Sequence, residues 1–380
     1  MALQSCCGTD ALSGAAVEIA FADSIQSVIP AGESDGRYLA PGFIDIQVNG
    51  YAGVDYNDPL TPHREIARSL RAQIATGVTR LYPTVITGPP ESMAACLRNL
   101  AAAREAIGEG EVMDGFHVEG PYISPEDGPR GAHPLQWVRP PDLDEFHHWQ
   151  DAARGRVRIV TLAPEWPEAP RYIERITSAG VVASIGHTMA TAAQISDAVS
   201  AGATLSTHLG NGAHQLLRRH PNYIWEQLAE DRLMADFIVD GIHLGQAFLK
   251  SALRAKGIGR SVLVTDASTP AGATPGRYAI GDQAVDLTED GRVVLAGTDR
   301  LAGSALNMRR GVENLMRLAG LTLADALHMA TTNAARAGRV PARAAGLAQG
   351  DRADIVQFRR TAEATIEIES VWISGRRCTA

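Results

Sequence analysis

Apolar and polar residues alternate along "AAVEIAFADSIQSVI" (residues 15–29) and "ADIVQFRRTAEATIEIESVWISG" (353–375), with turn residues between the runs. That period of two predicts half-buried strands. The two ends of the chain are therefore expected to pair in one small β domain, a sandwich built from residues 1–40 and 344–380. Between them the pattern changes to short β-branched runs separated by Ala-rich stretches with apolar residues three and four apart, the signature of βα units around a parallel sheet. The runs are "GFIDIQV" (42–48), "VTRLYPTVI" (78–86), "EVMDGFHVE" (111–119), "VRIVTLAP" (157–164), "VVASIGH" (181–187), "ATLSTHL" (203–209), "MADFIVD" (234–240) and "SVLVTDA" (261–267). Eight such strands close a barrel, so residues 41–343 are expected to form an α/β fold, a (β/α)8 TIM-like barrel. Helices are expected over 62–76, 91–107, 168–179, 191–201 and 245–256, and a hairpin insertion over 274–297.

Composition narrows the partners. The chain has 380 residues and a formal net charge of −8, with no run of Lys or Arg that would mark nucleic acid or an anionic membrane as partner. A small-molecule substrate is expected instead. Cys6, Cys7, Cys96 and Cys378 lack metal-ligand spacing and make a poor disulfide framework for a chain of this length. The segment "MALQSCCGTDALSG" lacks the basic start and long apolar core of a signal peptide, and no stretch approaches ~18 consecutive apolar residues, so the expectation is a cytoplasmic protein.

In a barrel of this kind the chemistry sits at the C-terminal ends of the strands. There the sequence places Glu119, His187, His208, the segment Asp240–His243, and Asp266. Two imidazoles and a carboxylate hold a catalytic Zn²⁺ and leave a position open for water, and a further carboxylate can move the proton. Taken singly, each residue has a plainer reading: a satisfied histidine, a strand end before Gly-Pro, a cap. Their coincidence at four mapped strand ends favours a metal site, with Asp266 as general base and then general acid. His117, two residues before Glu119, points to the same side of its strand and is expected to support the site.

The motifs "APGFIDIQVNG" (40–50), "HVEGPYISP" (117–125), "RGAH" (130–133), "IGHT" (185–188), "THLGN" (207–211), "DGIHL" (240–244), "LVTDAS" (263–268), "LAGSAL" (301–306) and "GDRADIV" (350–356) stand in the order that resembles the N-acetylglucosamine-6-phosphate deacetylases of the amidohydrolase superfamily. The resemblance implies that Glu119, His187 and His208 bind metal and that Asp266 is catalytic. It implies substrate contacts from Ala132, His133, Asn211, Gly212 and Leu301, Ala302, Gly303 and Ser304, phosphate contacts from Arg219 and His243, and a homodimer in which Arg219 reaches the neighbouring site. Where many superfamily members carry His-x-His for a second metal, this chain has Gln47-Val48-Asn49, and its only lysines are Lys250 and Lys256 in a predicted helix. One divalent metal per subunit is expected, Zn²⁺ first, although Fe²⁺ and others accept such a donor set. Gln47 and Asn49 are expected to support the site through hydrogen bonds.

The implied reaction is hydrolysis of the acetamide of N-acetylglucosamine 6-phosphate to glucosamine 6-phosphate and acetate. Alternatives are a different N-acyl amino sugar, such as a galactosamine phosphate or an unphosphorylated sugar, and a non-catalytic scaffold of the same fold. The loop 210–220 departs from the resemblance: Gly210 stands where an aromatic residue is common, and Gly212-Ala213 where alanine and methionine are common. His214, beyond that turn, is read as peripheral.

Overall fold

In the computed structural model the eight apolar runs become eight parallel strands: β1 (Phe43–Val48), β2 (Val78–Ile86), β3 (Phe116–Glu119), β4 (Val157–Leu162), β5 (Val182–Ile185), β6 (Leu205–Ser206), β7 (Met234–Ile238) and β8 (Ser261–Val264). The structure describes residues 2–32, 35–341, 345–363 and 365–378; the expected domain edge at residue 344 lies outside them. Neighbours pair in chain order, with registers such as Ile159 opposite Val182 and Ala235 opposite Ser261. The ring closes between β8 and β1, where Asp266 N donates to the Gln47 carbonyl (3.0 Å) and Asn49 N to the Ala267 carbonyl (2.7 Å). The strands are apolar on both faces because both are covered. Ile44, Ile46, Tyr82, Ile159, Val182 and Leu205 belong to a cluster that fills the barrel. Outside it, helices Tyr223–Ala229 and Gln246–Lys256 and those that precede them pack on the sheet.

The expected helices appear as His63–Ile74, Pro90–Ala106, Ala169–Ser178, Ala192–Ser200 and Gln246–Lys256. Their starts have local causes: Thr191 and Gln194 form a reciprocal capping box at the fourth. Seven of the eight strands are shorter than their apolar runs, and two lose five residues each. Residues 108–112 form a 3₁₀ turn, and β3 begins only at Phe116, because "GEGE" carries two glycines directly after a helix. β6 keeps two paired residues, since the His208 backbone N–H turns out of the ladder to the Asp236 carboxylate.

The chain ends form a seven-stranded sheet whose order runs 376–378, 366–373, 355–360, 37–41, 4–10, 16–21, 25–30. Strand Gln4–Asp10, which the alternation did not reveal, lies inside this sheet. Phe21 and Trp372 sit on strands separated by three others, yet their rings meet edge to face at 5.6 Å. The sheet therefore folds over on itself as a small sandwich around Ile19, Phe21, Ile25, Leu39 and Ile355. The insertion forms a three-stranded antiparallel sheet, Gly276–Ile280, Gln283–Leu287 and Val293–Leu295, which stands over the C-terminal mouth of the barrel. Among the described residues no helix is long and apolar enough to cross a membrane.

Candidate metal centre and substrate cavity

Strand ends deliver the expected groups to one point. Glu119 is the last residue of β3, and His187, His208 and Asp266 each lie two residues beyond their strands. Of the seven non-glycine residues with positive φ among the described residues, three are His187 (50°), His208 (28°) and Asp266 (48°). L-residues avoid this region, and its concentration here turns three side chains inward at a local backbone cost.

Glu119 Oε1 lies 3.1 Å from His187 Nε2 and 2.8 Å from His208 Nε2, and the two nitrogens are 3.1 Å apart. His187 Nδ1 faces the Pro129 carbonyl at 2.8 Å and donates to it, which leaves His187 Nε2 as the nitrogen that would offer its lone pair to an ion at the shared point. Mutual spacings near 3 Å match the edge of a tetrahedron of Zn²⁺ ligands, about 3.3 Å for bonds of ~2.0–2.1 Å. Glu119, His133 and His187 also converge, with ligand atoms within 4.8 Å of one another, but His133 Nδ1 is engaged with Thr87 Oγ1 at 2.8 Å. The triad of Glu119, His187 and His208, each pair within 3.1 Å, suits a divalent ion, and His133 stands beside it with its ring centroid 4.5 Å from that of His187. Burial works against ionisation of Glu119, yet hydrogen bonds from His187 and His208 hold its carboxyl well below the usual range. Burial drives His133 down to about 3 and His117 to about 4, so both rings are neutral.

Asp266 Oδ1 accepts from Asn49 Nδ2 (2.7 Å) and Gln47 Nε2 (3.2 Å). Burial, and then the nearby Glu119 charge, raise its carboxyl to about 6. The side-chain amide oxygens of Gln47 and Asn49 and the Nδ1 of His208 are buried with no protein partner, polar capacity beyond what the chain itself uses. Below this layer His117 bridges the Ile46 carbonyl and Thr161 Oγ1, which bonds Thr207 Oγ1 in turn. His117 thus stiffens the barrel under Glu119 and does not line the cavity. Asp236, inside β7, accepts the His208 backbone N–H, and burial raises it to about 7. Sequence reasoning missed it, although an aspartate within the apolar run "MADFI" was a signal.

A cavity of about 920 Å³ opens above the triad, and Ala132, His133, Asn211, Gly212, His243, Leu301, Ala302 and Gly303 line it. Ser304 does not: its hydroxyl donates to the Thr265 carbonyl at 2.6 Å, and its N–H to the Asp266 carbonyl. Arg219 is exposed and outside this cavity. His243 is fixed by Asp240, whose carboxylate takes both its backbone N–H (2.8 Å) and its Nδ1 (2.6 Å). Gly212 has φ +55°, and a Cβ there would meet His187 Nδ1 at 2.7 Å, so this loop packs directly on the triad. At Gly210 (φ +103°) a Cβ would meet the Phe248 ring at 2.7 Å; the aromatic bulk at this spot comes from helix Gln246–Lys256 instead. His214 lines the cavity after all. The Tyr223 hydroxyl accepts its backbone N–H (2.8 Å) and hydrogen-bonds its ring Nδ1 (2.9 Å), which fixes the imidazole in the loop. Neither lysine lines the cavity; Lys256 is buried on the carbonyls of Gln227 and Glu230.

Residues 38–378 match the model of the amidohydrolase family. The N-acetylglucosamine-6-phosphate deacetylase of Bacillus subtilis is 34% identical over 333 residues, 87% of this chain and 83% of that protein. The N-acetylgalactosamine-6-phosphate deacetylase of Escherichia coli O157:H7 is 32% identical over 344 residues, 90% of this chain and 88% of its own. Among solved structures, a mutant N-acetyl-D-glucosamine-6-phosphate deacetylase from Mycobacterium smegmatis in complex with N-acetyl-D-glucosamine-6-phosphate superposes with a TM-score of 0.90 at 31% identity, covering 100% of both chains.

Proposed function

The chain belongs to the amidohydrolase family, within its N-acetylglucosamine-6-phosphate deacetylases, and we propose on that premise that it hydrolyses the acetamide of N-acetylglucosamine 6-phosphate to glucosamine 6-phosphate and acetate. The observation that carries the reading is the convergence of Glu119, His187 and His208 within 3.1 Å beside a carboxylate, Asp266, that Asn49 and Gln47 hold in place.

Glu119, His187 and His208 would hold one divalent ion, Zn²⁺ being the best match to two imidazoles and a carboxylate. When bound, such an ion polarises the acetyl carbonyl and makes water available as hydroxide at neutral pH. The protein's own groups move the protons. Asp266, ionised above about pH 6, accepts the proton of the attacking water and returns it to the departing nitrogen. A neutral His133 at the rim donates a hydrogen bond to the oxygen that gains charge. Asn211, Gly212, His243 and Leu301–Gly303 shape the sugar's seat, with Ala132 beside His133.

Arg219, exposed and outside its own cavity, would serve the neighbouring subunit if the chain forms the homodimer that the resemblance implies. Four free thiols suit the reducing cytoplasm. The Escherichia coli relative favours one second reading, the galactosamine epimer as substrate. Acetate release from N-acetylglucosamine and N-acetylgalactosamine, each with and without the 6-phosphate, on protein of measured metal content, decides between them. The expected ranking puts N-acetylglucosamine 6-phosphate first; no acetate from any of the four overturns the reading.

A further inference from the structure

A sugar 6-phosphate brings a dianion into the cavity, and cations inside this subunit are scarce. Among the described residues lining the cavity, one is a lysine or arginine: Arg300, at the end of the inserted sheet. Its guanidinium donates to the Gly131 carbonyl (3.1 Å) and lies 2.9 Å from Asp127. Gly131 in turn packs on the triad, since a Cβ there would meet His187 Cε1 at 3.1 Å. One glycine therefore separates the guanidinium from a proposed metal ligand. A pyranose likewise separates its 2-acetamido group from its 6-phosphate.

We propose that Arg300 is a specificity-determining residue that binds the substrate's 6-phosphate within the same subunit. The inference rests on the deacetylase reading and adds a binding residue to it. Three features support it. The resting partner is weak, because Asp127 is 69% and Arg300 41% exposed, and ion pairs so exposed contribute little. Asp127 keeps a second cation, Arg130, at 3.4 Å, so it is not stranded when Arg300 turns to a phosphate. A planar guanidinium matches phosphate oxygens two at a time, and an Arg–phosphate contact is stronger than an exposed Arg–carboxylate pair. Asp127 and Asp299, which also line the cavity, are acidic, so among the described lining residues Arg300 is the one permanent cation that this subunit itself offers a dianion.

The test compares wild type, R300Q, R300K and D127N on N-acetylglucosamine with and without the 6-phosphate, and measures inhibition by inorganic phosphate. In R300Q we expect kcat/KM for the phosphorylated sugar to fall about tenfold or more, mainly through KM, with weaker phosphate inhibition. The unphosphorylated sugar should be unaffected, and R300K should recover part of the loss. D127N breaks the ion pair but keeps the cation, so its KM for the phosphorylated sugar should stay the same or fall. Equal losses on both sugars in R300Q, no loss on the phosphorylated one, or a D127N variant that copies R300Q would each overturn the proposal. Wild type that releases acetate from neither sugar overturns the deacetylase reading and takes this one with it, whereas active wild type with unchanged preference in R300Q overturns this one alone.

Discussion

Asp266 concentrates the chemistry in one carboxylate whose environment sets its charge. Asn49 and Gln47 fix its oxygen, while burial and the Glu119 charge hold its carboxyl near 6. Replacing Asp266 with Asn removes the proton carrier and leaves Glu119, His187 and His208 in place. Turnover is expected to fall at least about 10²–10⁴-fold with metal content unchanged, checked by acetate release and elemental analysis on one preparation. An active Asp266→Asn variant would falsify the assignment. The sign of the pH dependence follows from the same group. A base works only when ionised, so kcat/KM should be flat above neutrality and decline as pH falls through about 6, and a pH–rate profile lacking that acid limb would contradict it. These residues were readable beforehand because strand ends place them. Arg300 was not, because nothing in "GTDRLAGS" shows that an inserted sheet brings its arginine to the same mouth.

At the scale of elements, the seam between β1 and β8 does two jobs. It closes the barrel and positions Gln47, Asn49 and Asp266 opposite one another. Asp45 lies in that seam, fully buried, and accepts from Thr265 Oγ1 (2.5 Å) and Thr265 N (3.2 Å). Burial outweighs those bonds and raises its carboxyl from 3.8 to about 7. The folded state thus binds a proton more tightly than the unfolded chain. This group's contribution is fully present below about pH 4 and is lost as pH rises to about 7. Denaturation midpoints of wild type and Asp45→Asn across that range should differ in slope, with the Asn variant losing the decline; parallel curves would show that Asp45 does not titrate there. The sequence displayed the strand but not this role, since an aspartate in "GFIDIQV" reads equally well as a surface position until the ring closes around it.

At the scale of the whole molecule, the barrel, the terminal sandwich and the inserted sheet divide the work. The sandwich joins the two chain ends through contacts such as Phe21 on Trp372, and the insert walls the cavity above the triad. The proposed ion ties β3, β5 and β6 together, so it should act on stability as well as rate. Chelation is expected to abolish acetate release and to lower the thermal midpoint, with Zn²⁺ restoring both; an ion at about 100 times its Kd adds roughly 2.7 kcal/mol to the folded state. The melting shift should persist in Asp266→Asn, which separates ion binding from catalysis. A midpoint indifferent to chelator would argue against an ion joining three strands.

By itself the sequence determined the eight-strand α/β barrel, the pairing of the two ends and the strand-end residues Glu119, His187, His208 and Asp266. All of these follow from local periodicity and from the rule that barrel chemistry gathers at one mouth. Tertiary structure decided what depends on contacts between distant segments. It set the 3.1 Å convergence of the triad and moved Ser304 out of the cavity. It placed His214 and Arg300 within the cavity and put Phe248 where the loop carries Gly210. Local pattern reports which way a residue faces along its own element, whereas these outcomes depend on how loops from different strands pack over one another.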